Sequence, residues 1–198
     1  TFYSMFGFQR VGDLIWGAAD SRARGFLIGA TAGRTTLLGE GLQHQDGHSH
    51  VLATTVPSCE AYDPAFAYEL GAIIEHGLRR MYGNRPGEGE DVFYYLTVYN
   101  ENYPMPPRPD HVEHADIVSG IYQWNNGAEN LPHRATVLFS GSAQGAARAA
   151  QEELASRWGV SVDLYSVTSY KRLRDEALEV ERWNRLHPTA EPRVPHVT

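Results

Sequence analysis

Apolar residues recur at helical spacing almost from the first position: Tyr3, Phe6, Phe8, Val11, Leu14 and Ile15. The spacing predicts an amphipathic helix over residues 9–19. It ends near Asp20-Ser21, with Arg22 and Arg24 placed to meet its carboxyl end. Residues 26–30 form a short apolar run of buried-strand type, and residues 51–56 read as a second strand halted by Pro57. Asp63-Pro64 signals a helix start, with the acid as N-cap and proline at the first helical position. Phe66, Leu70, Ile73, Ile74, Leu78 and Met81 give that helix its apolar stripe, and Gly83 closes it. Residues 92–99 are the strongest strand on propensity. Further along, strands are expected at 117–124, 136–139 and 162–167, with helices at 143–158 and 171–186 ending at Gly159 and Pro188. The alternation in the second half predicts parallel strands with right-handed crossovers, and hence an α/β fold.

Two segments break the pattern. Residues 31–50 are rich in Gly, Thr and His and have no periodicity, and loops of this length inside compact domains are uncommon and usually functional. Residues 100–110 hold Pro104, Pro106, Pro107 and Pro109, which favours an extended connector between two units. A chain that opens inside an apolar pattern, with neither methionine nor cap, reads as an internal fragment.

Composition narrows the function classes. The net charge of -7, from 24 acidic and 17 basic residues, argues against a nucleic-acid partner, because such proteins need a basic face to displace counterions. No apolar run approaches the roughly 20 residues needed to cross a bilayer, and residues 1–8 lack the basic start of a signal peptide. The single cysteine, Cys59, fits a reducing compartment. The expectation is a cytoplasmic protein with no membrane partner.

Candidate chemistry concentrates in the patternless stretch. His44, His48 and His50 stand close to Glu40 and Asp46, so a metal site, a solvated loop and a catalytic or anion-binding histidine are all open. No HExxH helix frames a metal, and no metal ligands are assigned. Gly29 and Gly33 before Arg34-Thr35-Thr36 lack the spacing and lysine of a phosphate loop. Ser140-Gly141-Ser142 reads as a strand-to-helix turn with a serine cap, or as an anion site on free amides. Tyr3, Phe6 and Arg10 share one helical face: either a core stripe with a snorkelling arginine, or an aromatic shelf for a planar heterocycle with a cation at its rim.

A succession of blocks carries a more specific signal. Tyr3-Ser4-Met5-Phe6-Gly7-Phe8-Gln9-Arg10-Val11-Gly12-Asp13-Leu14 and Gly33-Arg34-Thr35-Thr36-Leu37-Leu38-Gly39-Glu40-Gly41-Leu42-Gln43-His44-Gln45-Asp46-Gly47-His48-Ser49-His50 resemble the homodimeric bacterial type of the pyruvate dehydrogenase decarboxylating component. Tyr99-Asn100-Glu101-Asn102-Tyr103, Tyr165-Ser166-Val167-Thr168-Ser169 and Glu181-Arg182-Trp183-Asn184-Arg185-Leu186-His187-Pro188 extend the resemblance over nearly the whole chain. Transketolase is similar more distantly.

The resemblance implies a transketolase-like, thiamine-diphosphate-binding α/β fold. Residues 1–103 would be the later part of the pyrimidine domain, 104–110 the Pro-rich linker, and 111–198 the first part of the carboxyl-terminal domain. It implies thiamine diphosphate and magnesium as cofactors, a homodimer, pyruvate as substrate, and the lipoyl domain of dihydrolipoyl acetyltransferase as partner. By resemblance Tyr3 and His44 reach the substrate, His44 as a hydrogen-bond or proton donor, and Glu40 tunes them. Phe6 stacks on the aminopyrimidine, with Tyr3 and Arg10 nearby. The family's glutamate for the aminopyrimidine and its Gly-Asp-Gly…Asn magnesium motif have no counterpart in these 198 residues, and Gly12-Asp13 is no substitute. The resemblance therefore implies that the chain alone is inactive. Another transketolase-like thiamine enzyme, acting on a ketose phosphate or a different 2-oxo acid, and a non-catalytic dimerising module are the alternatives.

Overall fold

The computed structural model describes residues 1, 6–30, 48–83, 87–99 and 101–197. In chain order the elements are α1 (Gly7–Arg10), α2 (Gly12–Asp20), β1 (Gly25–Gly29), α3 (Ser49–Ala53), β2 (Cys59–Tyr62), α4 (Ala67–Tyr82) and β3 (Phe93–Thr97). There follow α5 (His114–Ser119), β4 (Ile121–Asn125), β5 (His133–Phe139), a 3-10 turn at Gly141–Ala143, α6 (Gln144–Trp158), β6 (Val160–Val167) and α7 (Tyr170–Leu186).

The first sheet has the order β1-β3-β2, every pair parallel, with β3 in the middle. All five residues of β3 are buried, which is why this strand reads as an unbroken apolar run. Its side chains alternate between two cores. Tyr94 and Leu96 pack with Ile73 and Met81 of α4, whereas Phe93 and Tyr95 pack with Phe8, Ile15 and Ala53 from α1, α2 and α3. The second sheet has the order β4-β6-β5, with β5 parallel and β4 antiparallel to the central β6. The halves share cores: Val112, Ile117 and Tyr122 join the α4 side of the first sheet, and Phe66 packs with Phe139, Val162 and Leu164 of the second. The mixed α/β architecture is the class expected from sequence.

Local expectations fail where a short apolar run could serve two structures. Residues 51–56 are not a strand: α3 ends at Ala53, and Thr54 and Thr55 donate their hydroxyls to the carbonyls of Val51 and Leu52. Only Ala53 and Val56 reach the core, so tertiary fit overrides β propensity. The expected strand at 117–124 is divided into α5 and β4 by Gly120, whose φ of 111° lies in the left-handed region. Because α5 turns the chain back on itself, β4 runs antiparallel, against the expectation of parallel strands throughout. The single helix expected at 9–19 is two, parted at Val11.

Asp63 does not cap α4. Phe66 is the N-cap residue, and Glu69 reaches back to its amide at 3.1 Å. Glu69 is fully buried and also accepts from Ala65 N, Ser166 Oγ and Tyr122 Oη at 2.5–2.6 Å. Burial pushes its carboxyl up from the usual range, and the donors work against that. One buried carboxylate thus ties the start of α4 to β4 and β6.

Candidate active site

In parallel sheets, ligands bind outside the carboxyl ends of the strands. At that end of the first sheet, Gly29, Tyr62-Asp63 and Thr97 stand side by side in register, and Val98 donates its amide to the Gly29 carbonyl at 2.9 Å. Residue 30, which follows β1, and residue 48, just ahead of α3, bracket the glycine- and histidine-rich stretch. The helix α3 returns to the same edge, where His50 Nε2 lies 3.0 Å from Thr97 Oγ1 and its ring is tilted against Tyr95 at 5.4 Å.

Asp63 is the polar centre of this edge. It is 1% exposed, and one carboxylate oxygen accepts from Thr97 Oγ1 and Tyr99 Oη, each at 2.6 Å. Its amide donates to the Thr168 carbonyl at 2.8 Å, and its own carbonyl accepts from Gly141 N at 3.2 Å, so the second half of the chain fixes its backbone. Gly141 has φ +50°, and a Cβ there would sit 2.1 Å from Tyr99 Oη and 2.8 Å from the Asp63 carboxylate. Only glycine fits. This close approach, and not a serine cap, accounts for Ser140-Gly141-Ser142: Ser140 makes no side-chain cap bond. A cleft of about 170 Å³ lies alongside, lined by Pro64, Phe66, Tyr99, Tyr103, Gly141 and Ser142.

The helix α1 supplies the apolar wall. Phe8 is buried and packs on Tyr95 at 4.6 Å. Phe6 and Arg10, four residues apart, face elsewhere: Phe6 is half-buried, Arg10 is exposed, and the guanidinium lies 5.1 Å from the Phe6 ring centroid. The structure therefore brings Phe6 and Arg10 together as the sequence suggested, with Phe8, not Phe6, as the core residue of the stripe. The guanidinium lies over the Phe6 ring as a cation–π contact. Tyr3, Glu40 and His44 lie outside the described residues. His48 is exposed, and among the described residues no group of three His, Cys, Asp or Glu side chains could hold a metal ion.

Sequence reasoning missed Asp63, Thr97 and Tyr99 as functional candidates. Asp63-Pro64 has the form of a helix start, and a threonine ending a strand carries no signal of its own; only the topology makes them neighbours. A larger cleft of about 820 Å³ lies against the second sheet, lined by Ile121, Leu138, Val167 and Leu173. Its histidines contact backbone carbonyls: His111 meets that of Gln123, and His196 that of Ile121.

The sequence profile of the pyruvate dehydrogenase E1 component middle domain matches residues 1–106. Over 197 residues the chain is 54% identical to the pyruvate dehydrogenase E1 component of Cupriavidus necator, and over 196 residues 52% identical to that of Escherichia coli. Each match takes in 99% of this chain but 22% of the relative, so the chain spans about a fifth of the length of these curated relatives. In fold it is similar to the transketolase of Campylobacter jejuni, with a TM-score of 0.64 at 14% identity over 87% of this chain and 24% of the other.

Proposed function

The chain belongs to the pyruvate dehydrogenase E1 component family, and on that premise we propose that the complete protein decarboxylates pyruvate with thiamine diphosphate and magnesium. The acetyl unit then passes reductively to the lipoyl group of dihydrolipoyl acetyltransferase. The 54% identity over 197 residues carries this reading. Thiamine diphosphate supplies the electron sink as carbon dioxide leaves.

The remaining tasks fall to protein groups, and this chain provides one wall of the site. Phe6 offers its half-buried face to the aminopyrimidine, with Arg10 and Tyr3 beside it; the observed pairing of Phe6 and Arg10 supports that role. His44 donates a hydrogen bond or proton to the substrate's keto oxygen as charge builds there, Tyr3 orients the substrate, and Glu40 tunes both. Residues 1–103 serve as the later part of the pyrimidine domain, 104–110 as the linker and 111–198 as the start of the carboxyl-terminal domain. The protein acts as a cytoplasmic homodimer. Diphosphate and magnesium are held by parts of the protein beyond these 198 residues, so the chain alone neither binds the cofactor tightly nor turns over.

The test is made on the complete protein, with pyruvate, thiamine diphosphate, magnesium and a purified lipoyl domain. Acetylation of the lipoyl domain, read by mass spectrometry, is expected; absence of acetylation with every component present overturns the proposal.

A further inference from the structure

The edge built around Asp63 has a directional hydrogen-bond chain that the proposed roles of Tyr3, Phe6, Arg10, Glu40 and His44 leave unused. Thr97 has one hydroxyl proton and two acceptors within reach. The Asp63 carboxylate is at 2.6 Å and the Tyr62 carbonyl at 3.4 Å, so the proton goes to Asp63. The Thr97 oxygen then accepts from His50, whose Nε2 is 3.0 Å away. A neutral His50 must therefore carry its proton on Nε2, which leaves Nδ1 as the acceptor nitrogen. Tyr95 flanks the ring at 5.4 Å and restricts its plane. Tyr99 satisfies Asp63 from a second direction, and a buried acid with two charge-assisted bonds at one oxygen holds its position firmly. His50 belongs to α3, within six residues of His44 along the chain.

We propose that Asp63, Thr97 and His50 are positioning residues: Asp63 acts through Thr97 to hold His50, six residues after His44 in sequence, in one tautomer and orientation, which pins α3 to the sheet edge. The inference rests on the pyruvate-decarboxylating reading of this site. None of the three needs to touch the substrate. Their contribution is geometric, and a displacement on the order of 1 Å can cost a reaction about 100-fold.

The test is a pair of substitutions in the complete protein. Thr97→Val keeps the shape of the side chain but cuts the chain of bonds; Thr97→Ser keeps the hydroxyl. Hydrogen exchange by mass spectrometry reads the anchor directly. In Thr97→Val the peptide covering α3 is expected to exchange about ten-fold faster, because a part-buried hydrogen bond is lost, while the peptide covering α7 is unchanged. With pyruvate, kcat is expected to fall by about 10-fold to 100-fold with KM within about three-fold of wild type. Thr97→Ser restores both readings. Unchanged exchange at α3 overturns the anchoring, and faster exchange with unchanged kcat overturns the positioning role. A wild-type protein inert toward pyruvate defeats the functional reading instead, while the exchange arm still decides whether the anchor exists.

Discussion

His44 has the heaviest chemical task in the proposed reaction. Replacing it by alanine in the complete protein is expected to lower turnover by about 100-fold to 10,000-fold, the range of a general acid–base group. Thiamine diphosphate affinity, measured by titration, should stay nearly constant, and an unchanged turnover removes His44 from the mechanism. His44 is proposed because its neighbours in sequence form a block that resembles a known family. Asp63 was not legible in the same way. Its neighbour Pro64 makes it look like a helix cap, and its real partners, Thr97 and Tyr99, are 34 and 36 residues away. Glu69 likewise looks like an ordinary helix residue, yet it is fully buried and accepts hydrogen bonds from partners in the second half, Tyr122 and Ser166. Long-range polar pairing leaves no periodic trace in the chain.

At the scale of elements, long periodic segments read well and short apolar runs did not. The stripe of α4, except for Leu78, which is exposed, the run of β3, and the Gly159 stop of α6 follow from spacing and cap chemistry alone. Residues 51–56 look β-like by composition, but Pro57 and the need to bring His50 back to the sheet edge leave room only for one helical turn and a bend. The outer end of α4 makes a testable electrostatic statement. Arg80 bridges Glu60 at 2.7 Å and Glu90 at 2.6 Å, and His76 lies half-buried beside it. Burial first, and then the Arg80 charge, hold His76 below its ordinary 6.5. The folded chain therefore keeps His76 neutral, while the unfolded chain takes up the proton first. Stability should fall as the pH drops below 6.5, since the unfolded state then binds more protons. Arg80's hydrogen bond draws Glu90 down, and that contribution is lost only at lower pH, as the pH falls through its folded value. Urea unfolding across this range should show His76→Gln flattening the upper part of the decline and leaving the lower part intact. An identical decline in both proteins rules out His76 as its source.

On the scale of the whole molecule, the two sheets are joined by shared cores and by the polar ties of Asp63 and Glu69, so the candidate edge depends on both halves of the chain. The fold class was legible from alternation of strands and helices, but the antiparallel β4 was not, because a six-residue helix ahead of it reversed the chain. The chain covers 22% of the length of these relatives, and the proposal assigns the diphosphate and magnesium to parts of the protein outside these 198 residues. Calorimetric titration of the 198-residue chain with thiamine diphosphate and magnesium is accordingly expected to give no stoichiometric binding; a one-to-one isotherm means that the chain holds the cofactor by itself. The most direct measurement offers the complete protein pyruvate and xylulose phosphate side by side, with thiamine diphosphate, magnesium and a lipoyl domain present. The account predicts acetylation of the lipoyl domain from pyruvate and no turnover of the ketose phosphate. Turnover of xylulose phosphate without acetylation from pyruvate would contradict it.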